Sequence, residues 1–343
     1  MCGINCFAQH NTVNVAHIKS DGFKTAVITD TSGHLIVNQI TIKGNKKTRN
    51  YIISREINFK SGDTIQLSKL EYNLEKIRQQ IYNTLLFVYV NISATVVDSS
   101  RLNIEVVVLE RWYIYPSPHF QVNARDYNEW FNRYNANLNR VTYGIKFTHS
   151  NLTGRRDQLR IYFLTGYSKN ILFSYSLPYI NKALTKGLSV SGGFSQNKDV
   201  IVKSARFDSI VIFPSLTQST GIPKDVFKNY YLRVGYTVRK AIRVQHNFTI
   251  GYSRIEVNDS VIHPPYNPNY FGMNSSNIGF LDLSYTYSYQ FVDNSAYPLK
   301  GLTGYFNIAK RGIDFTGGVN YASIEGGINK YIRLKRNWYT SFQ

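Results

Sequence analysis

Near its C-terminal end the chain runs Leu281-Asp-Leu-Ser-Tyr-Thr-Tyr-Ser-Tyr-Gln-Phe291, large apolar or aromatic at every odd position and polar at every even one. A strand turns successive side chains to opposite faces, so this segment has one greasy face and one wet face. Soluble sheets seldom sustain that pattern with so many exposed tyrosines. About 9–11 residues is also the length that a tilted strand needs to cross a bilayer. The feature points to a large sheet with two chemically opposite surfaces.

The pattern recurs. Tyr143, Ile145 and Phe147 alternate with Gly144, Lys146 and Thr148, and Leu159, Ile161 and Phe163 alternate less cleanly with Arg160, Tyr162 and Leu164. Ile171, Phe173, Tyr175 and Leu177 share one face, and Leu232, Val234, Tyr236 and Val238 lie opposite Arg233, Gly235, Thr237 and Arg239. Val244, Phe248, Ile250 and Tyr252 lie opposite Arg243, Gln245, Asn247, Thr249 and Gly251. A packed sandwich core does not tolerate unpaired Arg, Lys, Asn and Gln, whereas a water-filled lumen does. We therefore read residues 113–343 as an antiparallel transmembrane β-barrel rather than a soluble sandwich. The 15% aromatic content, with 27 Tyr, suits interfacial girdles. Negative mean hydropathy, with no apolar run long enough for a transmembrane helix, suits strands that are half polar.

The net charge of +19 invites a nucleic-acid reading. The basic residues are spread along the polar faces of strands, in no concentrated patch, so they read as lumen, loop and turn charges and no nucleic-acid partner is expected. Both cysteines, Cys2 and Cys6, fall in the first six residues, which leaves the folded part without a disulfide framework. Residues 1–36 read as an N-terminal segment whose start resembles the tail of a secretory signal, with Phe7-Ala-Gln9 near a cleavage point. Cys6 as a lipoprotein cysteine is the weaker alternative, because the residues before it make a poor lipobox.

Residues 37–112 have a different rhythm. Val37–Lys43 alternates as a short strand and ends at the turn pair Gly44-Asn45. Thr48 is placed to cap a short helix, and a loop with Ser61-Gly-Asp63 follows. Leu67, Leu70, Leu74, Ile77, Ile81 and Leu85 recur at helical spacing, with Ser68 and Glu71 as a capping box. Phe87–Val97 and Leu102–Leu109 make two strands around Asp98-Ser-Ser100. Strand, helix, helix, strand, strand with one apolar stripe is a small α+β module.

The stretches Ile40-Thr-Ile-Lys-Gly-Asn-Lys-Lys-Thr48, Arg55-Glu-Ile57, Ser61-Gly-Asp63, Asn83-Thr-Leu-Leu-Phe-Val-Tyr-Val90 and Val106-Val-Val-Leu-Glu-Arg111 resemble, in order and spacing, a polypeptide-transport-associated (POTRA) domain. The barrel resembles the outer-membrane protein assembly factors of the BamA and TamA family. Asn151-Leu-Thr-Gly154 looks like the turn after its first strand, Leu177-Pro-Tyr-Ile180 like the turn after its third, and Asp293-Asn-Ser-Ala-Tyr-Pro-Leu-Lys-Gly301 like its mid-barrel turn. Glu110-Arg-Trp-Tyr-Ile-Tyr-Pro116 reads as a hinge into the barrel. The family's barrels have sixteen strands and an Arg-Gly plug-loop motif; about eleven strands are expected between Tyr113 and Gln343, which reads as a C-terminally truncated barrel.

No catalytic constellation emerges: the seven histidines are scattered, and there is no nucleophile elbow or phosphate loop. Gly192-Gly193 and Gly317-Gly318 read as bends or bulges within strands. We expect neither an enzyme nor a cofactor or metal. The resemblance implies an outer-membrane protein of a Gram-negative bacterium with a periplasmic POTRA domain, which assembles or translocates proteins. Its partners would be unfolded outer-membrane or secreted polypeptides, outer-membrane lipids and accessory assembly proteins. Client binding would fall on an edge strand of Phe87, Val88, Tyr89, Val90, Asn91, Ile92, Ser93, Ala94, Thr95, Val96 and Val97, whose free backbone groups pair with an extended client. A lateral gate would fall on the barrel's first strand, containing Thr142, Tyr143, Gly144, Ile145, Lys146, Phe147 and Thr148. Two other readings stay open: a dedicated exporter or lipid-handling relative, and a passive anion-preferring channel lined by Arg160, Arg233, Arg239 and Arg243.

Overall fold

The computed structural model describes residues 33–98, 100–124, 126–181, 183–204, 210–213, 226–241, 243–272, 274–312, 319–335 and 338–343. The cysteines of the N-terminal segment and the Gly317-Gly318 pair lie outside these residues. The chain divides into two compact units, one running to Arg111 together with Asp293–Pro298, the other comprising Trp112–Val292 and Leu299–Gln343.

The first unit contains β1 (His34–Lys43), α1 (Asn50–Ser54), β2 (Thr64–Gln66), α2 (Leu70–Tyr82), β3 (Phe87–Val96) and β4 (Arg101–Glu110). This is the expected α+β order with one three-residue strand added. The sheet runs β2-β1-β4-β3, with β1 and β4 parallel and the other neighbours antiparallel. Alternate residues of β4 (Leu102, Ile104, Val106 and Val108) are buried, as are Leu70, Leu74, Ile77 and Ile81 of α2. Full burial of such side chains contributes about 1.5–3 kcal/mol each before entropy is charged. The helical stripe is shorter than the sequence spacing suggests: Leu67 sits in a 3-10 turn before α2, and Leu85 has left-handed backbone (φ 62°) just beyond it.

Neither expected cap forms. The side chain of Thr48 is buried, and its N–H donates to Glu110 Oε1 at 2.6 Å while Lys47 N–H also donates to that carboxylate. Glu110 thus gathers the loop's donors onto β4, and α1 begins after Arg49 with no side-chain cap. Ser68 is inside the 3-10 turn, so α2 starts at Leu70 behind Lys69, again uncapped by a side chain. The Gly44 turn is required sterically: at φ 91° a Cβ would lie 2.0 Å from the carbonyl oxygen of Val108.

The second unit opens with β5 (Ile114–Val122), α3 (Tyr127–Asn132), β6 (Val141–Ser150), β7 (Gln158–Gly166), β8 (Ser168–Leu177) and β9 (Lys186–Asn197). A separate hairpin, β10 (Val200–Ser204) and β11 (Ile210–Phe213), precedes β12 (Phe227–Ala241), β13 (Val244–Val257) and β14 (Asn277–Val292). β15 (Gly301–Arg311), β16 (Tyr321–Lys335) and β17 (Trp338–Phe342) complete it. One eleven-stranded sheet runs β17-β16-β15-β14-β13-β12-β9-β8-β7-β6-β5, with every neighbouring pair antiparallel. Among the described residues β5 and β17 each have a single neighbour in it.

The strand count matches the sequence reading, but the assignment of the first strand does not. Residues read as a hinge, around Tyr115 and Pro116, form the edge strand β5. The turn at Asn151–Gly154 therefore comes after the second strand of the sheet, and that at Leu177–Ile180 after the fourth.

Register carries the alternation across the sheet. Leu159, Tyr175, Val190, Val234, Ile250 and Leu283 stand opposite one another on successive strands. On the other face Arg160, Ser174, Ser191, Arg233, Gly251, Asp282, Arg311 and Tyr321 do the same. A slip of one residue at any pair would mix the two sets, so the pattern itself pins the register. The apolar face is exposed, as at Ile145 (58%), Phe163 (60%) and Leu232 (57%). Gly192-Gly193 is neither a bend nor a bulge: its register with both neighbours is unbroken, and a Cβ on Gly193 would meet the Tyr231 hydroxyl at 2.7 Å.

The connections differ at the two ends of the strands. Connections 151–157, 178–185 and 293–300 lie at one end of the strands, and 123–140, the single residue Tyr167 and 258–276 at the other, where Val202, Phe213, Val226, Val257 and Val261 form an apolar cluster of their own.

Candidate functional site

Among the described residues β3 is an edge strand, paired with β4 alone. In an antiparallel ladder, opposed residues alternate between pairs that exchange hydrogen bonds and pairs that do not. Val97 N–H donates to the carbonyl of the opposed Arg101 at 2.9 Å. Counting back by twos, Thr95, Ser93, Asn91 and Tyr89 bond to β4, so Val90, Ile92, Ala94 and Val96 aim N–H and C=O at the open side. The same four residues turn their side chains toward the helical face, where Val90 and Ile92 are buried. The strand is thereby held from one face while its outer edge stays complete.

The first residues of the expected site are different. A register shift at Val88 puts an extra residue between Phe87 and Tyr89, and Arg111 Nη2 donates to the Phe87 carbonyl at 3.4 Å. Such a bulge blunts an edge. The available edge is therefore Tyr89–Val96, narrower than the span Phe87–Val97. On the face away from the helices, Asn91, Ser93 and Thr95 are polar, and Lys43 pairs with Glu105 across the sheet. On α2, burial tends to raise the Glu75 carboxyl's pKa. The bidentate Arg78 (both 2.7 Å) and Gln79 at 2.9 Å outweigh it and hold the group below the usual glutamate value.

The expected gate strand is not at an edge. β6, which holds Thr142–Thr148, is paired along its length with β5 on one side and β7 on the other. Thr142 is buried and its hydroxyl accepts from Asn123 Nδ2 (2.7 Å) and Ser168 N–H (3.1 Å). A Cβ at Gly144 would lie 2.1 Å from the Phe163 carbonyl oxygen, so the β6–β7 contact is tight there. Tyr143 and Ile145 point to the exposed apolar face, and Lys146 lies 5.6 Å from the Tyr162 ring on the other. Among the described residues β5, whose first residues read as a junction, has a neighbour on one side only.

The four arginines of the channel reading do not form one basic lining. Arg160 donates to Gln158 at 2.6 Å, and Arg233 stands 3.9 Å from Asp282. Arg239 donates to the Tyr179 hydroxyl at 2.8 Å, and Arg243 lies 3.6 Å over the Phe291 ring. Asp282, which the sequence did not single out, is the hub: it also accepts from Ser253 Oγ at 3.2 Å and faces Arg311 at 3.5 Å. Its place as the one charged residue of Leu281–Phe291 was the available signal.

Residues 35–111 match the family model for POTRA, described as surface antigen variable number repeat. No curated protein matches the chain. Among solved structures, the fold is similar to BamA from Haemophilus ducreyi lacking POTRA domains 1-3 (16% identity, TM-score 0.48, 88% of this chain and 52% of that one). It is also similar to CdiB from Acinetobacter baumannii (12%, 0.43, 88% and 50%) and CdiB from Escherichia coli (10%, 0.40, 94% and 70%). The chain spans about half the length of the first two. Residues 35–111 are a POTRA domain, and the second unit is built on an eleven-stranded antiparallel sheet with one apolar and one polar face.

Proposed function

We propose that this protein works at the outer membrane of a Gram-negative bacterium in protein assembly or export, capturing extended polypeptides by strand addition at the β3 edge of its POTRA domain. The observation that carries this reading is the uninterrupted run of outward N–H and C=O groups at Val90, Ile92, Ala94 and Val96, on a strand fixed by a buried face. Backbone pairing of this kind gives affinity with little sequence selectivity, which suits unfolded clients. The sheet of the second unit supports a membrane setting, because its apolar face is the exposed one, as in outer-membrane barrels. In such a setting the POTRA domain would be periplasmic. The gate role that the resemblance implied for Thr142–Thr148 passes to β5, the first strand of the sheet. Against the passive channel stand the arginines already engaged with Gln158, Asp282, Tyr179 and Phe291.

The test is a proline in the full chain. Ala94→Pro deletes an outward donor and leaves the β3–β4 ladder whole, so crosslinking of unfolded outer-membrane polypeptides to β3 should fall several-fold at unchanged thermal stability. Unchanged crosslinking, with unchanged levels of outer-membrane proteins in cells, would refute capture at this edge.

A further inference from the structure

The apolar face of the larger sheet carries charged residues that stand in line. Four residues along the strands from the apolar row of Tyr175, Val190, Val234, Ile250 and Leu283, the opposed residues are Ile171, Phe194, Tyr230, Arg254 and Gly279. Six residues along they are Lys169, Gln196, Lys228, Glu256 and Asn277. Even steps keep a side chain on one face, so both lines belong to the apolar face. They lie at the end of the strands that carries Tyr167 and the connection 258–276. Lys169 is exposed, and the Arg254 side chain is 51% exposed although its Nε lies 2.8 Å from Glu256 Oε1. Three cations against one carboxylate leave the patch positive. Aromatic rings lie just inside it. Phe194 and Tyr230 are 5.0 Å apart, and a Cβ on Gly279 would lie 2.5 Å from the Tyr252 hydroxyl, so that ring leans its polar end toward the charged lines.

A cation on a lipid-facing surface is costly at mid-membrane and nearly free at the interface. A line of charges bordered by tyrosines therefore marks the level of the lipid head groups on this face. We propose that Lys169, Lys228 and Arg254 dock the phosphate groups of an anionic membrane lipid, whose acyl chains lie along Ile171, Leu232 and the neighbouring rings. The occupant is a lipid rather than soluble phosphate, because the cations stand at the rim of an exposed apolar surface that acyl chains cover. The lysines send their ammonium groups to the interface along apolar stems. Lys169 and Lys228 stand on either side of Gln196, two strand spacings or about 10 Å apart, a span suited to one head group with two phosphates, such as that of lipid A. This inference rests on the membrane setting proposed above and not on capture at β3.

The full chain in non-ionic detergent tests this, titrated with bisphosphorylated lipid A and read by native mass spectrometry. Lys169→Gln with Lys228→Gln should weaken lipid A binding on the order of 30-fold. Lys186→Gln with Lys330→Gln removes the same charge from the same face at the other end of the strands and should leave binding unchanged. Excess inorganic phosphate should not displace the lipid. Equal losses in the two double variants, no loss in the first, or displacement by inorganic phosphate would each overturn the proposal. The membrane setting has its own readout, flotation of the chain with phosphatidylcholine vesicles, which carry no net charge. A wild-type chain that does not float breaks the setting and the proposal with it. A chain that floats but binds lipid A equally well without Lys169 and Lys228 overturns the proposal alone. If the first double variant does not fold, Arg254→Gln decides, with a loss on the order of fivefold expected and no loss overturning the proposal.

Discussion

The two units are built on the same two-residue alternation, and their faces are inverted. In the POTRA sheet the apolar residues are buried beneath helices, whereas in the larger sheet residues of the same kind are the exposed ones. A free edge on a small water-facing sheet is held in place by its buried face and stays usable. On a sheet in lipid it is the exposed face that must be apolar, and charge is tolerated on it only near the ends of the strands.

The largest effect should come from inverting the buried face of the POTRA sheet. Leu74→Asp places an unpaired charge where the leucine is 2% exposed and should cost at least about 4 kcal/mol, seen as loss of the helical circular dichroism signal. A native helix signal at 25 °C would mean that α2 does not cover the sheet as described. Next comes the larger sheet, where the same test has the reverse logic. Ile250→Lys should destabilise the lipid-inserted chain by about 2–4 kcal/mol, while Thr249→Lys, one residue away on the polar face, should cost little. Equal urea midpoints for the two variants would break the assignment of faces.

A smaller effect separates the inner and outer sides of β3. Asn91→Pro removes an N–H that bonds to β4 and should cost about 1–3 kcal/mol, against less than about 1 kcal/mol for Ala94→Pro, whose N–H points outward. Reversed melting temperatures would show that the ladder has the other parity. The smallest effect is electrostatic. The Glu75 carboxyl is held below its ordinary value by Arg78 and Gln79 against the opposing pull of burial. A group depressed in the folded state stabilises it above the unfolded pKa, and that contribution disappears as pH falls through the folded pKa. Glu75→Gln should therefore lose less melting temperature than the wild type between neutral pH and pH values below the usual glutamate pKa, about 4.3. A steeper acid loss in the variant would contradict the sign.

Much of this architecture was legible because alternation is a local property. The odd residues of Leu281–Phe291 had to share a face in any strand, and so did Leu232, Val234 and Tyr236. The family resemblance put Phe87–Val97 at a sheet edge, and β3 lies at one. The sequence reading misassigned the first strand of the larger sheet for an equally physical reason. Proline demotes a segment as a strand unless its N–H side faces open space, and which side is open depends on neighbours far away in sequence. The missed caps have the same origin. Thr48 and Ser68 have the right chemistry for helix ends, but Glu110, distant in sequence, collects the loop's donors around Thr48, and a 3-10 turn displaces the start of α2 past Ser68.

The amino-acid order by itself determined which residues share a face and about how many strands form, because side-chain periodicity and turn chemistry act between near neighbours. Only the tertiary structure decided which strands lie at the edges and toward which side each N–H points. It also decided that Asp282 would gather Arg233, Arg311 and Ser253. Those outcomes depend on which strand lies beside which and in what register, and pairing partners are chosen by the whole sheet rather than by any one strand's sequence.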